Sequence, residues 1–126
     1  MKLLIVEDNP QMRGLLRAVV ADLVEEVTEC ADGAEVVAAY IARQFGEADC
    51  VLMDLQMPHV GGIEATRRLL KADPGARVII VTQYDDMHWK EAARGAGACG
   101  YVLKENLLEV RRLLTDRVQL DWPSRS

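Results

Sequence analysis

Five residues able to do chemistry stand at the ends of four short apolar runs: Glu7, Asp8, Asp54, Thr82 and Lys104. Three carboxylates held close together would repel one another, and some would keep a proton at neutral pH. A hard divalent cation such as Mg2+ removes this conflict, because it prefers oxygen ligands and needs only one or two carboxylates beside a phosphate. With a lysine charge and a threonine hydroxyl added, the set suits phosphoryl transfer to an aspartate.

The elements that would position these residues alternate along the chain between strands and helices. The predicted strands cover residues 3–6, 26–30, 50–53, 78–81 and 100–103. A first helix is expected after Asn9, which can cap it, with Pro10 at its first position. Apolar periodicity predicts later helices at residues 34–43, 63–71, 87–94 and 106–118. The pattern predicts an α/β fold, a (βα)5 doubly wound parallel five-stranded sheet with helices on both faces.

The predicted sheet explains how residues far apart in the sequence could share one site. In open parallel sheets, ligands bind at the carboxyl ends of the strands, near the point where the strand order reverses. Asp8, Asp54, Thr82 and Lys104 each stand just past a predicted strand. We therefore expect the fold to gather them, with Glu7, into one pocket. Taken singly, each has a structural alternative, such as a cap, a strand end or a solvated surface charge.

Composition narrows the classes of protein to which the chain could belong. Its 126 residues suit one compact domain, and half of them are hydrophobic. The net charge of −5 disfavours a bare nucleic-acid binder, which would carry a basic patch. Three cysteines with no C-x-x-C pair favour a reducing interior over a disulfide framework. The short apolar N-terminal run fits neither a signal peptide nor a membrane span, so we expect a cytoplasmic protein without membrane contact.

Four segments carry a resemblance to a known family: VEDNP, VLMDLQMPHVGGIEATRRL, VIIVTQ and GACGYVLKENLLEV. They resemble the receiver domain of two-component response regulators, in the same order and over most of the chain. The GACGYVLK and KENLLEV segments are most similar to receivers that precede a LuxR-like helix-turn-helix DNA-binding domain. The resemblance implies strand order 2-1-3-4-5 and a receiver domain over residues 1–118. Residues 119–126 would be a C-terminal tail or the start of a linker.

The resemblance also implies a role for each acid of the expected pocket. Asp54 would accept the phosphoryl group, and Lys104 would pair with its carboxylate or its phosphate. Asp8 and Asp54 would bind Mg2+ together with the backbone carbonyl of Gln56, while Glu7 would contact the metal through water. A sensor histidine kinase or a phosphorelay protein would donate the phosphoryl group. The domain would act as a switch that catalyses only its own phosphorylation and dephosphorylation.

The same resemblance implies how phosphorylation would change the surface. Thr82 would bind a phosphoryl oxygen and move inward, and Tyr101, the expected switch aromatic, would follow it. The change would spread over the face formed by the fourth helix, the fifth strand and the fifth helix, as a population shift driven by new charge. That face would control a homodimer contact or an output domain. DNA would be reached only through an output domain that this chain does not contain.

Two positions depart from the common pattern of the family. Gln83 follows the switch threonine where alanine is usual, and Glu105 follows the lysine where a cis proline is usual. A cis bond without proline is costly, so the backbone geometry after Lys104 stays open. We hypothesise that Gln56, Gln83 and Tyr84 rim the pocket and set the lifetime of the phosphoryl group.

Three alternatives are weighed against this interpretation. The G-x-G-x-x-G spelling at residues 95–100 follows a helix and precedes a strand, the reverse of a dinucleotide fingerprint, and is rejected. An aspartate-nucleophile phosphatase would need a D-x-D motif, whereas Asp54 is followed by Leu55 and Gln56. A stand-alone receiver that acts through protein contacts is an alternative to a regulator with an output domain.

Overall fold

The computed structural model describes residues 1–115, in which strands and helices alternate from the first strand to the last helix. The strands are β1 (Lys2–Val6), β2 (Glu26–Cys30), β3 (Cys50–Met53), β4 (Val78–Thr82) and β5 (Gly100–Leu103). The helices are α1 (Pro10–Val20), α2 (Val36–Ala42), α3 (Gly62–Ala72), α4 (Met87–Ala96) and α5 (Leu108–Thr115). All strands pair in parallel in the order β2-β1-β3-β4-β5, which confirms the predicted fold and strand order.

The core lies on both faces of the sheet, because the side chains of each strand point alternately to opposite sides. On one face, Leu4 and Val6 of β1 belong to a cluster with α2, α3 and α4. On the other face, Leu3 and Ile5 pack with α1 and α5. The inner strands β3 and β4 are buried at every residue, whereas β2 forms an edge with Glu26 exposed.

Local sequence signals start and end the helices that lead away from the carboxyl edge of the sheet. The Asn9 side chain accepts a hydrogen bond from the Met12 N–H at 3.0 Å, and Pro10 is the first residue of α1. α4 ends at Ala96 and is followed by Gly97, whose φ of 104° lies in the left-handed region that favours glycine. A Cβ at Gly97 would come within 2.3 Å of Leu70 Cδ1. The glycine-rich stretch therefore ends a helix, as predicted.

Among residues 1–115 the observed boundaries lie within two residues of the predicted ones, and three of the differences have a local explanation. β4 extends by one residue to Thr82, which pairs in register with the last residue of β5. A 3-10 turn over Gly33–Glu35 replaces the predicted start of α2, because the Asp32 carboxylate accepts the Ala34 N–H and holds a tighter turn. Another 3-10 turn over Lys104–Asn106 delays the start of α5.

Two further predictions concern the backbone after Lys104 and the C-terminal boundary of the domain. No cis peptide bond occurs among residues 1–115, so the bond between Lys104 and Glu105 is trans. The predicted end of α5 at residue 118 and the predicted tail at 119–126 lie outside the described residues. Within residues 1–115, no helix is long and apolar enough to cross a membrane.

Candidate functional site

The acids of the expected site meet at the carboxyl edge of the sheet, because neighbouring strands end level with one another. Val6 is in register with Met53, so β1 and β3 deliver Glu7 and Asp54 side by side. The Asp54 N–H donates to the Val6 carbonyl at 3.0 Å, which carries the strand pairing one step beyond the end of β3. Lys104 reaches the same edge from the end of β5.

Three carboxylates form a cluster at this edge. Ligand oxygens of Glu7, Asp8 and Asp54 all lie within 4.8 Å of one another. Glu7 and Asp54 are only 1% and 7% exposed, whereas Asp8 is exposed. The Glu7 Oε1 atom is buried and faces the Lys104 ammonium at 2.8 Å. Three carboxylates supply only hard oxygen donors, which fit a Mg2+ ion better than a softer metal.

Lys104 provides the positive charge that faces two of these acids. Its Nζ lies 2.8 Å from Glu7 Oε1 and 3.3 Å from Asp54 Oδ2. The contact with Asp54 has hydrogen-bond geometry, whereas the shorter contact with Glu7 is an ion pair. Each acid also accepts a backbone N–H, Asp54 Oδ1 from Leu55 at 2.8 Å and Glu7 Oε2 from Asn9 at 3.0 Å. A single lysine therefore pairs with two buried carboxylates.

Burial shifts the protonation of these groups. It raises the pKa of Asp54 above its ordinary value, and the Lys104 charge and the Leu55 N–H offset it only in part. Burial raises the pKa of Glu7 in the same way, against the opposing effects of Lys104 and the Asn9 N–H. For Lys104, burial lowers the pKa, but the two carboxylates outweigh burial and raise it. The site therefore carries an excess of buried negative charge, which a bound cation would offset.

Thr82 and Tyr101, the expected switch pair, are connected through the backbone of Tyr84. Thr82 is fully buried, and its Oγ1 accepts the Tyr84 N–H at 3.3 Å. The Tyr101 hydroxyl donates to the Tyr84 carbonyl at 2.6 Å, and burial raises the pKa of this phenol. Tyr101 is 4% exposed, so its ring is already inside in this structure. The predicted inward movement of Tyr101 on phosphorylation would start from a ring that is already buried.

The other residues predicted around the pocket lie on two loops. Gln56 is exposed on the loop between β3 and α3, two residues after Asp54. Gln83 is exposed and Tyr84 is half-buried on the loop between β4 and α4. Both loops leave the carboxyl edge of the sheet, on the same side as Asp54. Their effect on the lifetime of a phosphoryl group stays a prediction.

A third buried acid at this edge, Asp32, was not predicted as a site residue from the sequence. Its Oδ1 accepts the N–H groups of Ala34 at 2.9 Å and Val60 at 3.0 Å, and its Oδ2 accepts the His59 N–H at 2.8 Å. Burial raises the pKa of Asp32, but these three donors and His59 outweigh burial and lower it to about 2. Asp32 thereby ties the end of β2 to the loop that carries Gln56. The available signal was an acid closely following a strand, the same placement as Asp54.

The sequence matches one protein family over nearly its whole length. A family model described as the response regulator receiver domain matches residues 3–115. Response regulator GacA of Pseudomonas aeruginosa is 34% identical over 110 residues, covering 86% of this chain and 50% of GacA. Chemotaxis protein CheY of Halobacterium salinarum is 36% identical over 103 residues, covering 82% of this chain and 83% of CheY. The chain therefore spans about half the length of GacA and most of the length of CheY.

A solved structure agrees with the family assignment. The crystal structure of a LuxR-family two-component response regulator from Aurantimonas sp. SI85-9A1 is similar with a TM-score of 0.81 and 32% identity. The similarity covers 90% of this chain and 81% of the other chain. The phosphatase alternative raised by Asp54 is not favoured by these matches. Because the family model and the relatives agree with the fold and the acidic edge, the chain belongs to the receiver domain family of two-component response regulators.

Proposed function

We propose that this receiver domain accepts a phosphoryl group on Asp54 with Mg2+ bound beside it. The supporting observation is a buried Asp54 carboxylate 3.3 Å from Lys104 Nζ, with oxygens of Glu7 and Asp8 within 4.8 Å. Asp8, Asp54 and the backbone carbonyl of Gln56 would hold the ion, and Glu7 would contact it through water. Bound there, Mg2+ supplies positive charge against the phosphoryl oxygens.

The transfer would join one Asp54 carboxylate oxygen to phosphorus as the phosphorus–nitrogen bond of a phosphohistidine breaks. The electron pair of that bond returns to the ring nitrogen, and the imidazole leaves neutral when its other nitrogen carries a proton. The product is an acyl phosphate on Asp54. Lys104, beside Asp54 Oδ2, would offset the charge of the incoming group. The Thr82 hydroxyl, at the end of β4, would donate to a phosphoryl oxygen.

The donor would be a sensor histidine kinase or a phosphorelay protein, the partners expected of receiver domains. The domain would catalyse only its own phosphorylation and dephosphorylation, with no external substrate turned over. Its three cysteines are free and at least partly buried, which suits the reducing cytoplasm where we place the protein.

Phosphorylation would act on the face formed by α4, β5 and α5. The link from Thr82 through Tyr84 to Tyr101 of β5 supports this route. The Tyr84 ring also stacks on Trp89 of α4, with ring centroids 5.7 Å apart, which extends the link to a helix. That face would control a homodimer or an output domain. DNA would be contacted only through an output domain outside the receiver. The matched segment covers 50% of GacA, so that relative has room for a further domain.

The test is phosphoryl uptake from a small phosphodonor, followed by intact mass with and without Mg2+. The parent should gain the mass of one phosphoryl group only when Mg2+ is present, and Asp54→Asn should gain none. Asp22→Asn is the matched control, because Asp22 is an exposed acid two residues past the end of α1, paired with Arg111. Equal uptake by the parent and Asp54→Asn would contradict the proposal.

The lifetime of the phosphoryl group tests the role of the loops. We propose that Gln56, Gln83 and Tyr84 control how water reaches Asp54, because all three lie on loops at its edge. Replacing each with alanine and timing phosphate loss from Asp54 should change the half-life. Half-lives equal to that of the parent in all three variants would refute this role.

A further inference from the structure

Arg13 connects the strand end that carries the acids to a neighbouring strand. From α1, its Nη1 donates to the backbone carbonyl of Glu7 at 2.7 Å. Its Nε donates to Oε1 of Glu29, on β2, at 2.9 Å. The other Glu29 oxygen accepts from Arg17 Nε and Nη2 at 2.9 and 2.6 Å. Glu29 therefore pairs with both Arg13 and Arg17.

The carbonyl that Arg13 contacts belongs to the peptide between Glu7 and Asp8. On the preceding side, the Glu7 N–H donates to the Cys30 carbonyl at 3.0 Å. Both backbone polar groups of Glu7 are thus bonded, one to β2 and the other to Arg13. Asp8 is exposed, so the direction of its side chain depends on this backbone more than on packing.

We propose that Arg13 is a positioning residue for the metal site. It fixes the peptide between Glu7 and Asp8, so that the acids on either side of that peptide face one ion together. This inference rests on the proposed function, because it requires Mg2+ to bind at these acids. It also predicts a direction of change in Mg2+ affinity that the loss of charge alone would not produce. A cation near the site repels Mg2+, so loss of the Arg13 charge by itself would tighten Mg2+ binding.

The test compares Mg2+ affinity in matched arginine variants, by titration with Mg2+ followed in 1H–15N NMR spectra. Arg13→Met should weaken Mg2+ binding about tenfold, the size of effect typical of a residue behind a metal ligand. Arg17→Met is the control, because it removes the same charge and a contact with Glu29 but no contact with Glu7. Its Mg2+ affinity should be unchanged or tighter. Arg13→Lys, which can still donate to the Glu7 carbonyl, should recover most of the affinity.

Urea unfolding without Mg2+ separates positioning from loss of fold. Arg13→Met and Arg17→Met should lose similar stability, since both break a contact with Glu29. Where Arg13→Met does not fold, Arg13→Gln carries the same prediction. Mg2+ affinity that is equal in the Arg13 and Arg17 variants, or tighter in the Arg13 variant, would overturn the inference and leave the proposed function intact. A parent protein with no Mg2+-dependent shifts at Asp8 and Asp54 would overturn both.

Discussion

Asp32 and Asp54 are buried aspartates at the same edge of the sheet, yet their surroundings shift their pKa values in opposite directions. They follow β2 and β3 and are 6% and 7% exposed. Burial raises the pKa of Asp32, but three backbone N–H donors outweigh it and lower the pKa to about 2. Burial also raises the pKa of Asp54, which accepts one backbone N–H and shares Lys104 with Glu7. At Asp54 the effect of burial exceeds that of these partners, so the pKa stays raised.

Two differences separate the acids, although similar fractions of both are exposed. Asp32 accepts three backbone N–H groups against one for Asp54, and Asp54 lies deeper in the protein, near the charge of Asp8. The donors of Asp32 come from the protein itself, so this acid stabilises the fold and has little capacity left for a ligand. Asp54 has fewer donors and keeps an unbalanced negative charge. In the proposed function, the reactivity of Asp54 follows from negative charge that the fold leaves uncompensated.

The largest expected effect is on the free energy of unfolding when Asp32 is removed. Asp32→Ala should destabilise the protein by about 3 kcal/mol, because three buried backbone N–H groups lose a charged acceptor. Asp54→Ala should cost less than about 1 kcal/mol or stabilise the fold, because it removes a poorly compensated buried charge. Urea unfolding at pH 7 without Mg2+ measures both. Equal losses of unfolding free energy in the two variants would contradict the proposed difference between Asp32 and Asp54.

A smaller effect is expected when Lys104 is removed. Lys104→Met should cost about 2 kcal/mol at pH 7 without Mg2+, because it leaves two buried carboxylates without their cation. The loss should shrink as the pH falls, since protonation of Glu7 and Asp54 removes the unpaired charge. Lys90→Met is the control, because Lys90 pairs with the exposed Asp85 and should cost at most about 0.5 kcal/mol. A loss that stays constant from pH 7 to pH 5 would argue against the pairing.

Mg2+ should stabilise the parent by about 1.4 kcal/mol at ten times its dissociation constant. Asp54→Asn should lose this increment, because it removes a proposed metal ligand. Asp32→Asn should keep it, because Asp32 accepts only donors of the protein in its described contacts. Thermal or urea unfolding with and without Mg2+ gives the increment for each variant. Retention of the full increment by Asp54→Asn would place the ion elsewhere.

The pH dependence of stability should have opposite signs for the two acids. Asp32 has a folded pKa of about 2 against an ordinary 3.8, so its contribution is full above pH 3.8 and is lost as the pH falls towards 2. Asp54 has a raised folded pKa, so its contribution is full below its unfolded pKa and is lost as the pH rises. Urea unfolding from pH 2 to pH 8 should show each slope disappear in the matching alanine variant. Parallel curves for both variants would contradict these assignments.

Sequence alone predicted the strands well because parallel inner strands are continuous apolar runs that stop at polar residues. That signal also located Asp8, Asp54, Thr82 and Lys104 at strand ends. It could not show how many donors each acid would have, since two of the donors of Asp32 come from a loop distant in sequence. Asp32 therefore looked like an ordinary turn residue, although its partners lie on the loop before α3.

The contacts of long side chains were also beyond prediction from sequence. Whether Arg13 reaches the Glu7 carbonyl depends on how α1 is rotated against β1 and β2. The burial of Tyr101 depends in the same way on the path of the loop before α4, which supplies the carbonyl that its hydroxyl contacts. Such contacts follow from the packing of whole elements, so no local sequence pattern predicts them.

The most direct test of the central claim is a pH titration of the side-chain carboxyl carbons of Asp32 and Asp54 by 13C NMR, with and without Mg2+. We predict that Asp32 titrates near pH 2 and that the pKa of Asp54 lies above the ordinary 3.8. Adding Mg2+ should lower the pKa of Asp54 and leave that of Asp32 unchanged. A pKa of Asp54 at or below 3.8 without Mg2+, or an equal response of both acids to Mg2+, would contradict the account.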